Sequence, residues 1–159
     1  MKIVSFLVFL LILLSFALLV LWFLKRKERK YKFTILAIPL LLVLAFGCTY
    51  IPHKIVSIDP SNVSKITVFD GNTGKDLEIT NVTDINRIIG NLNEVTFQKG
   101  KPSFMYMGYS FRTTIFDNKG KSIEELIINS NDTIRYKGFF YTSIENSIDY
   151  DYIGQLVRK

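Results

Sequence analysis

Lys65–Leu92 reads KITVFDGNTGKDLEITNVTDINRIIGNL. Two kinds of local structure follow each other in it. Lys65–Phe69 reads as a strand, Asp70–Gly74 carries the Asp, Asn and Gly of a turn, and Asp76–Thr80 reads as the returning strand of a β-hairpin. Ile85, Ile88, Ile89 and Leu92 then fall at i, i+3, i+4 and i+7, the spacing of one apolar helix face. Asn81 or Thr83 can cap that helix, Asp84 suits the positive end of its dipole, and Asn91 and Asn93 can end it. A hairpin followed by an amphipathic helix is the beginning of an α+β domain.

The pattern continues downstream. Val95 and Phe97 read as a short strand closed by Lys99-Gly-Lys-Pro102. Met105, Met107, Tyr109, Phe111, Thr113 and Ile115 occupy alternate positions, which predicts one long strand, half-buried in an antiparallel sheet. Asp117–Gly120 turns the chain and Ser122–Asn129 returns. Thr133–Lys137 and Phe139–Ser143 are aromatic strands, and Asp149–Leu156 is a closing helix. The expectation is a small antiparallel sheet of six or seven strands with two packed helices over residues 63–159. Residues 53–62, with Pro52 and Pro60 near their ends, read as a stalk.

Upstream the character changes. Ile3–Leu24 and Phe33–Ile51, 22 and 19 residues long, contain no charged side chain. A helix of about 20 apolar residues spans the hydrocarbon core of a bilayer. Between the runs, residues 25–32 hold six Lys and Arg. A short loop with that excess is retained on the cytoplasmic side, which sends both flanks across. The expected layout is a membrane region over 1–52, with spans near 3–24 and 33–51, at the cell membrane, and an extracytoplasmic C-terminal domain. Leu44-Ala-Phe-Gly-Cys48 also has the layout of a lipoprotein signal, so Cys48 is a candidate for cleavage and lipidation. The other reading is a cysteine near the outer end of a spanning helix.

The net charge of +6 belongs to the N-terminal third. Residues 1–48 carry seven Lys and Arg against one acid, whereas 49–159 carry thirteen of each sign. A nucleic-acid partner needs basic residues clustered on the folded domain, so none is expected. The partners this composition suits are the lipid bilayer and an envelope component or membrane protein.

Catalytic chemistry has little material. Cys48 is the only cysteine and His53 the only histidine. Asp70-Gly-Asn-Thr-Gly-Lys-Asp76 alternates oxygen donors as a calcium loop does, but it lacks a glutamate at the twelfth position and flanking helices, so a hairpin turn is the better account. Glu124 and Glu125, adjacent on a strand, point to opposite faces and cannot share a site. No catalytic residue, metal site or cofactor is assigned, and a non-enzymatic protein is expected. The aromatic side chains are the remaining candidates, with Tyr106, Tyr136, Tyr141 and Tyr150 as a partner-binding surface. Core packing uses the same residue types.

Phe69-Asp-Gly71, Thr83-Asp-Ile85, the helix ending Ile88-Ile-Gly-Asn-Leu-Asn93, Gly108-Tyr-Ser-Phe111 and Ile148–Ile153 together resemble the small exported domains of unknown function of low-GC Gram-positive bacteria. The resemblance covers Ile66–Leu156. It implies a membrane anchor or lipoprotein signal joined to a small α+β domain, and it implies no reaction. The function expected is that of a membrane-anchored interaction module at the cell envelope. The alternatives are a lipoprotein processed at Cys48 with a ligand-binding domain, and an accessory subunit of a membrane complex.

Overall fold

A computed structural model describes Leu21, the backbone of residues 29–38 and residues 39–159 in full. The chain forms two compact units, Met1–Thr49 and Tyr50–Lys159. In the first, the described helix is α1, Arg29–Cys48, with Pro39 inside it. Its side chains from Leu40 to Leu44, and Phe46, are each more than half exposed. Among the described residues no helix is long and apolar enough to cross a membrane. The run Ile3–Leu24 lies outside the described residues except for Leu21.

The second unit is α+β. Its strands are β1 (His53–Lys54), β2 (Val63–Asp70), β3 (Asp76–Ile79), β4 (Thr96–Pro102), β5 (Phe111–Asp117), β6 (Ser122–Ile128), β7 (Thr133–Tyr136) and β8 (Phe139–Glu145). Helices α2 (Val82–Glu94) and α3 (Tyr150–Arg158) complete it. The eight strands form one antiparallel sheet in the order β1-β4-β8-β7-β6-β5-β2-β3.

The β2–β3 hairpin and α2 stand where the sequence pattern predicts them. The Asn81 side chain caps α2 by accepting from the backbone N–H groups of Thr83 and Asp84. Ile85, Ile88, Ile89 and Leu92 are all buried. The core face of the sheet runs in register from Asp70 through Phe111, Ile128 and Ile134 to Tyr141. The apolar residues of this row, the α2 face, and Ile153 and Val157 of α3 make one core, joined by Val56 and Phe97. Every residue of that core lies in Tyr50–Lys159, so the unit closes its own interior. The stretch expected to be a stalk contributes to it: Val56 is buried, and His53 and Lys54 pair with Phe97 and Thr96.

Three expectations are corrected. The long strand over Met105–Ile115 is a strand only from Phe111 onward, and Met105 and Met107 are 88% and 89% exposed. Lys99–Pro102, expected to close a strand, continues β4. Both changes have one cause. β8 occupies the place beside β4, with Phe97 opposite Ser143 and Lys99 opposite Tyr141. Residues 103–110 therefore have no strand to pair with and must travel over β8, β7 and β6 to reach the slot of β5. Asp149, expected as the first residue of the closing helix, stands just before α3, makes no side-chain cap bond, and pairs its carboxylate with Arg87 Nε at 2.9 Å.

Candidate interaction surface on the outer face of the sheet

The face of the sheet away from the helices carries a second registered row, Phe69, Arg112, Ile127, Arg135 and Phe140, one residue from each of β2, β5, β6, β7 and β8. Residues 103–110 lie across this row as a strap. Its peptide groups have no ladder to join, and each needs a partner of its own. Arg135 supplies two of them. Nη1 donates to the carbonyl of Tyr106 at 2.6 Å, and Nη2 donates to the carbonyl of Gly108. Ser103 N–H donates to Gly138 O at 2.8 Å, and Gly71 N–H donates to Ser110 O at 2.8 Å, which pins both ends.

The strap's aromatic side chains complete its seat. Tyr106 meets Phe140 edge-on at 5.0 Å, and Tyr109 rests against Phe69 at 6.2 Å with the Arg112 guanidinium 5.0 Å from its ring centre. Lys101 Nζ donates to the Tyr106 hydroxyl at 2.7 Å. Arg135 itself is 7% exposed, and among the described residues it has no ion-pair partner. Burial first, and then the neighbouring Arg112 charge, push its pKa down. Its charge is met by carbonyl dipoles, so the guanidinium acts as a fastener for the strap.

The strap begins in a turn, Ser103–Tyr106, closed by Tyr106 N–H donating to Ser103 O at 3.3 Å. Met105 in it has φ of 69°. That left-handed conformation favours Gly or Asn, and the central positions of turns favour polar residues. Here they are Phe104, 72% exposed, and Met105. Two large apolar side chains thus stand outward on a turn held from below by Arg135 and Lys101.

Next to the strap the sheet opens. β6 pairs with β7 only through Ile127–Arg135 and Ile128–Ile134, so Ser122–Leu126 have strand partners on β5 alone. A groove of about 500 Å³ lies along that free side, lined by Ser122–Ile127, Ser103, Tyr136 at the end of β7, and Lys137 and Gly138 of the β7–β8 turn. Glu124 and Glu125, expected not to share a site, both line it together with Lys137, because the groove follows the free edge of the strand rather than one face. Burial, the largest influence, raises the Tyr136 hydroxyl pKa in this region.

The four tyrosines expected to form a partner surface do not share one. Tyr106 is on the outer face. Tyr141 is buried and meets Tyr136 at 6.2 Å, and Tyr150 packs on Phe111 at 5.0 Å. The core-facing register of Ile134 with Tyr141 explains this separation. Cys48 ends α1 and is exposed. His53 is exposed, with Nδ1 2.9 Å from Ile51 O, and its ring edge meets Tyr141 at 6.1 Å. In the Asp70–Lys75 turn the Asp70 carboxylate accepts from Asn72 N–H and from Arg158 Nε. Among the described residues no three His, Cys, Asp or Glu side chains gather where they could share a metal ion. Sequence reasoning missed Arg135 and the strap; the signal that could have raised them is a lone arginine within an apolar-aromatic strand.

Compared with family models, curated proteins and solved structures, the chain matches none.

Proposed function

We propose that this chain is a membrane-anchored, extracytoplasmic, non-enzymatic binding module of the cell envelope. The observation that carries the binding role is the groove beside Ser122–Leu126, where β6, paired with β5 on one side, has no strand on its β7 side along most of its length. An extended partner segment can add there by backbone hydrogen bonding, with side chains reading Ile123, Tyr136 and Lys137. The membrane anchoring rests on the two uncharged runs, Ile3–Leu24 and Phe33–Ile51, and on the six Lys and Arg between them. The exposed apolar side chains Leu40–Leu44 in α1 suit a lipid environment.

Two measurements test this reading. External protease on wall-free cells is expected to digest residues beyond about 55 while leaving the Lys/Arg loop intact. Protection of the domain until lysis would reverse the orientation. Extraction of the full chain in mild detergent, followed by cross-linking from position 125, is expected to trap a partner that Ile123→Glu loses. An equal cross-linking pattern for both chains would remove the groove from the account.

A further inference from the structure

We infer that the Ser103–Tyr106 turn is a membrane-docking element that lays the domain against an anionic bilayer surface through Phe104 and Met105. The inference rests on the membrane-anchored reading above and adds to it the orientation of the domain and the chemistry of the surface it meets.

Three observations carry it. First, the apolar tip is built rather than incidental. Phe104 and Met105 are 72% and 88% exposed, Met107 in the same strap is 89% exposed, and Met105 is held in a left-handed conformation. Backbone strain of that kind persists only where the surroundings hold it. Arg135, Lys101, Phe140 and Gly138 do so here, through the contacts to Tyr106, Gly108 and Ser103. A tip that is already ordered loses little conformational freedom on insertion.

Second, lysines stand at the base of the turn. Lys101 is exposed, two residues before Ser103, with Nζ 4.5 Å from the Tyr106 ring centre. Lys137 is exposed and adjoins Gly138, whose carbonyl receives Ser103 N–H. Glu124 and Glu125 line the groove on the β6 side. An exposed apolar tip with lysines at its base suits anionic headgroups above an acyl layer.

Third, the tip is at the end of the sheet where the chain joins the domain. The carbonyl of Tyr50 accepts from Gln98 Nε2, and Lys99 Nζ lies 5.3 Å from the Tyr50 ring centre. β4 runs from there to Pro102, a few residues at about 3.3 Å each. Tyr50 follows α1, which ends at Cys48, by two residues. A domain tethered at Tyr50 therefore carries the apolar turn on its tethered end.

The test uses the Tyr50–Lys159 unit, which closes its own core, and vesicles of phosphatidylcholine with or without phosphatidylglycerol. The only tryptophan of the chain is Trp22, outside this unit. Phe104→Trp therefore installs a single fluorescent reporter, and Ile144→Trp, at another exposed position, serves as the control. The expected result is a blue shift of the Phe104→Trp emission with anionic vesicles, weakened by salt, and none for Ile144→Trp. Sedimentation of the unlabelled domain should show at least about a tenfold loss of anionic-vesicle binding for Phe104→Ser/Met105→Ser, the order expected for removing buried apolar side chains. Lys101→Glu/Lys137→Glu should lose the preference for the anionic lipid. Because Phe104 and Met105 are exposed, thermal unfolding should be unchanged in the Ser/Ser variant. Equal vesicle binding by wild type and the Ser/Ser variant, or none by the folded wild type, would overturn the inference. So would loss, in that variant, of a soluble protein partner with no effect on lipid. The assay contains no membrane-spanning segment, so its failure leaves the protease test of topology standing, and the reverse holds too.

Discussion

Arg158, in the last turn of α3, donates from Nε to the fully buried Oδ2 of Asp70 at 3.0 Å, joining the C-terminus of the chain to the end of β2. Asp70 also accepts from Asn72 N–H at 2.8 Å. Burial is the largest influence on its carboxyl and raises the pKa; the hydrogen bonds from Asn72, Arg158 and Thr73 together outweigh it and hold the pKa below 3.8. A carboxyl with a depressed folded pKa stabilises the fold above its ordinary value, and the contribution is lost as pH falls through the folded value. Urea unfolding followed downward from neutral pH should show this loss below about pH 4. Asp70→Asn should be less stable than wild type at neutral pH, and the gap should shrink as pH falls. A gap that stays constant across that range would sever Asp70 from the acid limb.

Phe111 and Arg112 are neighbours in β5 on opposite faces. Phe111 is fully buried, against the Tyr150 ring and 3.5 Å from where a side chain at Gly154 would begin. Phe111→Ala should cost about 3–5 kcal/mol, a large part of the roughly 5–15 available to a domain. Arg112→Ala should cost far less. Equilibrium unfolding of both variants checks the register of the strand, and similar small losses would contradict it.

Thr113 is fully buried, opposite Val68 and Leu126, and its hydroxyl has no hydrogen-bond partner. Valine has nearly the same shape and no polar atom to desolvate. Thr113→Val should raise stability by about 1 kcal/mol. A loss of stability would mean that the hydroxyl has a partner in solution.

Gly71 leaves room for the strap. A β-carbon there would come within 2.5 Å of Tyr109 O and 2.9 Å of the Tyr109 ring. Gly71→Ala should displace Tyr109, lower stability and increase proteolytic cutting within 103–110. Gly90, in the middle of α2, has open space around its α-carbon. Gly90→Ala should stabilise the domain by about 0.5–1 kcal/mol. Limited proteolysis and thermal unfolding of the pair separate a steric role for glycine from a merely tolerated one.

Cys48 decides between two routes to the membrane. If it is the end of a spanning helix, the chain persists at full length and Cys48→Ala migrates as wild type does. Lipidation would instead shorten the protein to about two-thirds, with maturation blocked in Cys48→Ala. Full-length persistence is the expected outcome, and intact mass of the membrane-extracted protein reads it. A mature chain beginning at an acylated Cys48 would reverse the assignment.

Local patterns in the sequence were sufficient for the β2–β3 hairpin, for α2 and for the alternation within β5. In each, a period of two or 3.6 records which side of an element is buried, and Ile85, Ile88, Ile89, Leu92 and Phe111 all lie on the inner side. The Phe-Asp turns at Asp70 and Asp117 repeat for the same local reason: each aspartate accepts a backbone N–H two residues on. Periodicity is silent about which strand stands beside which. The pairing of β4 with β8 joins residues 37 to 49 positions apart, and it left Met105 and Met107 without a sheet although they continue the alternation of β5. Only the folded chain could then bring Arg135 beneath Tyr106 and Gly108, because those carbonyls required a donor once they had no neighbouring strand. Tertiary pairing thus turned a stretch patterned as core into an exposed apolar turn.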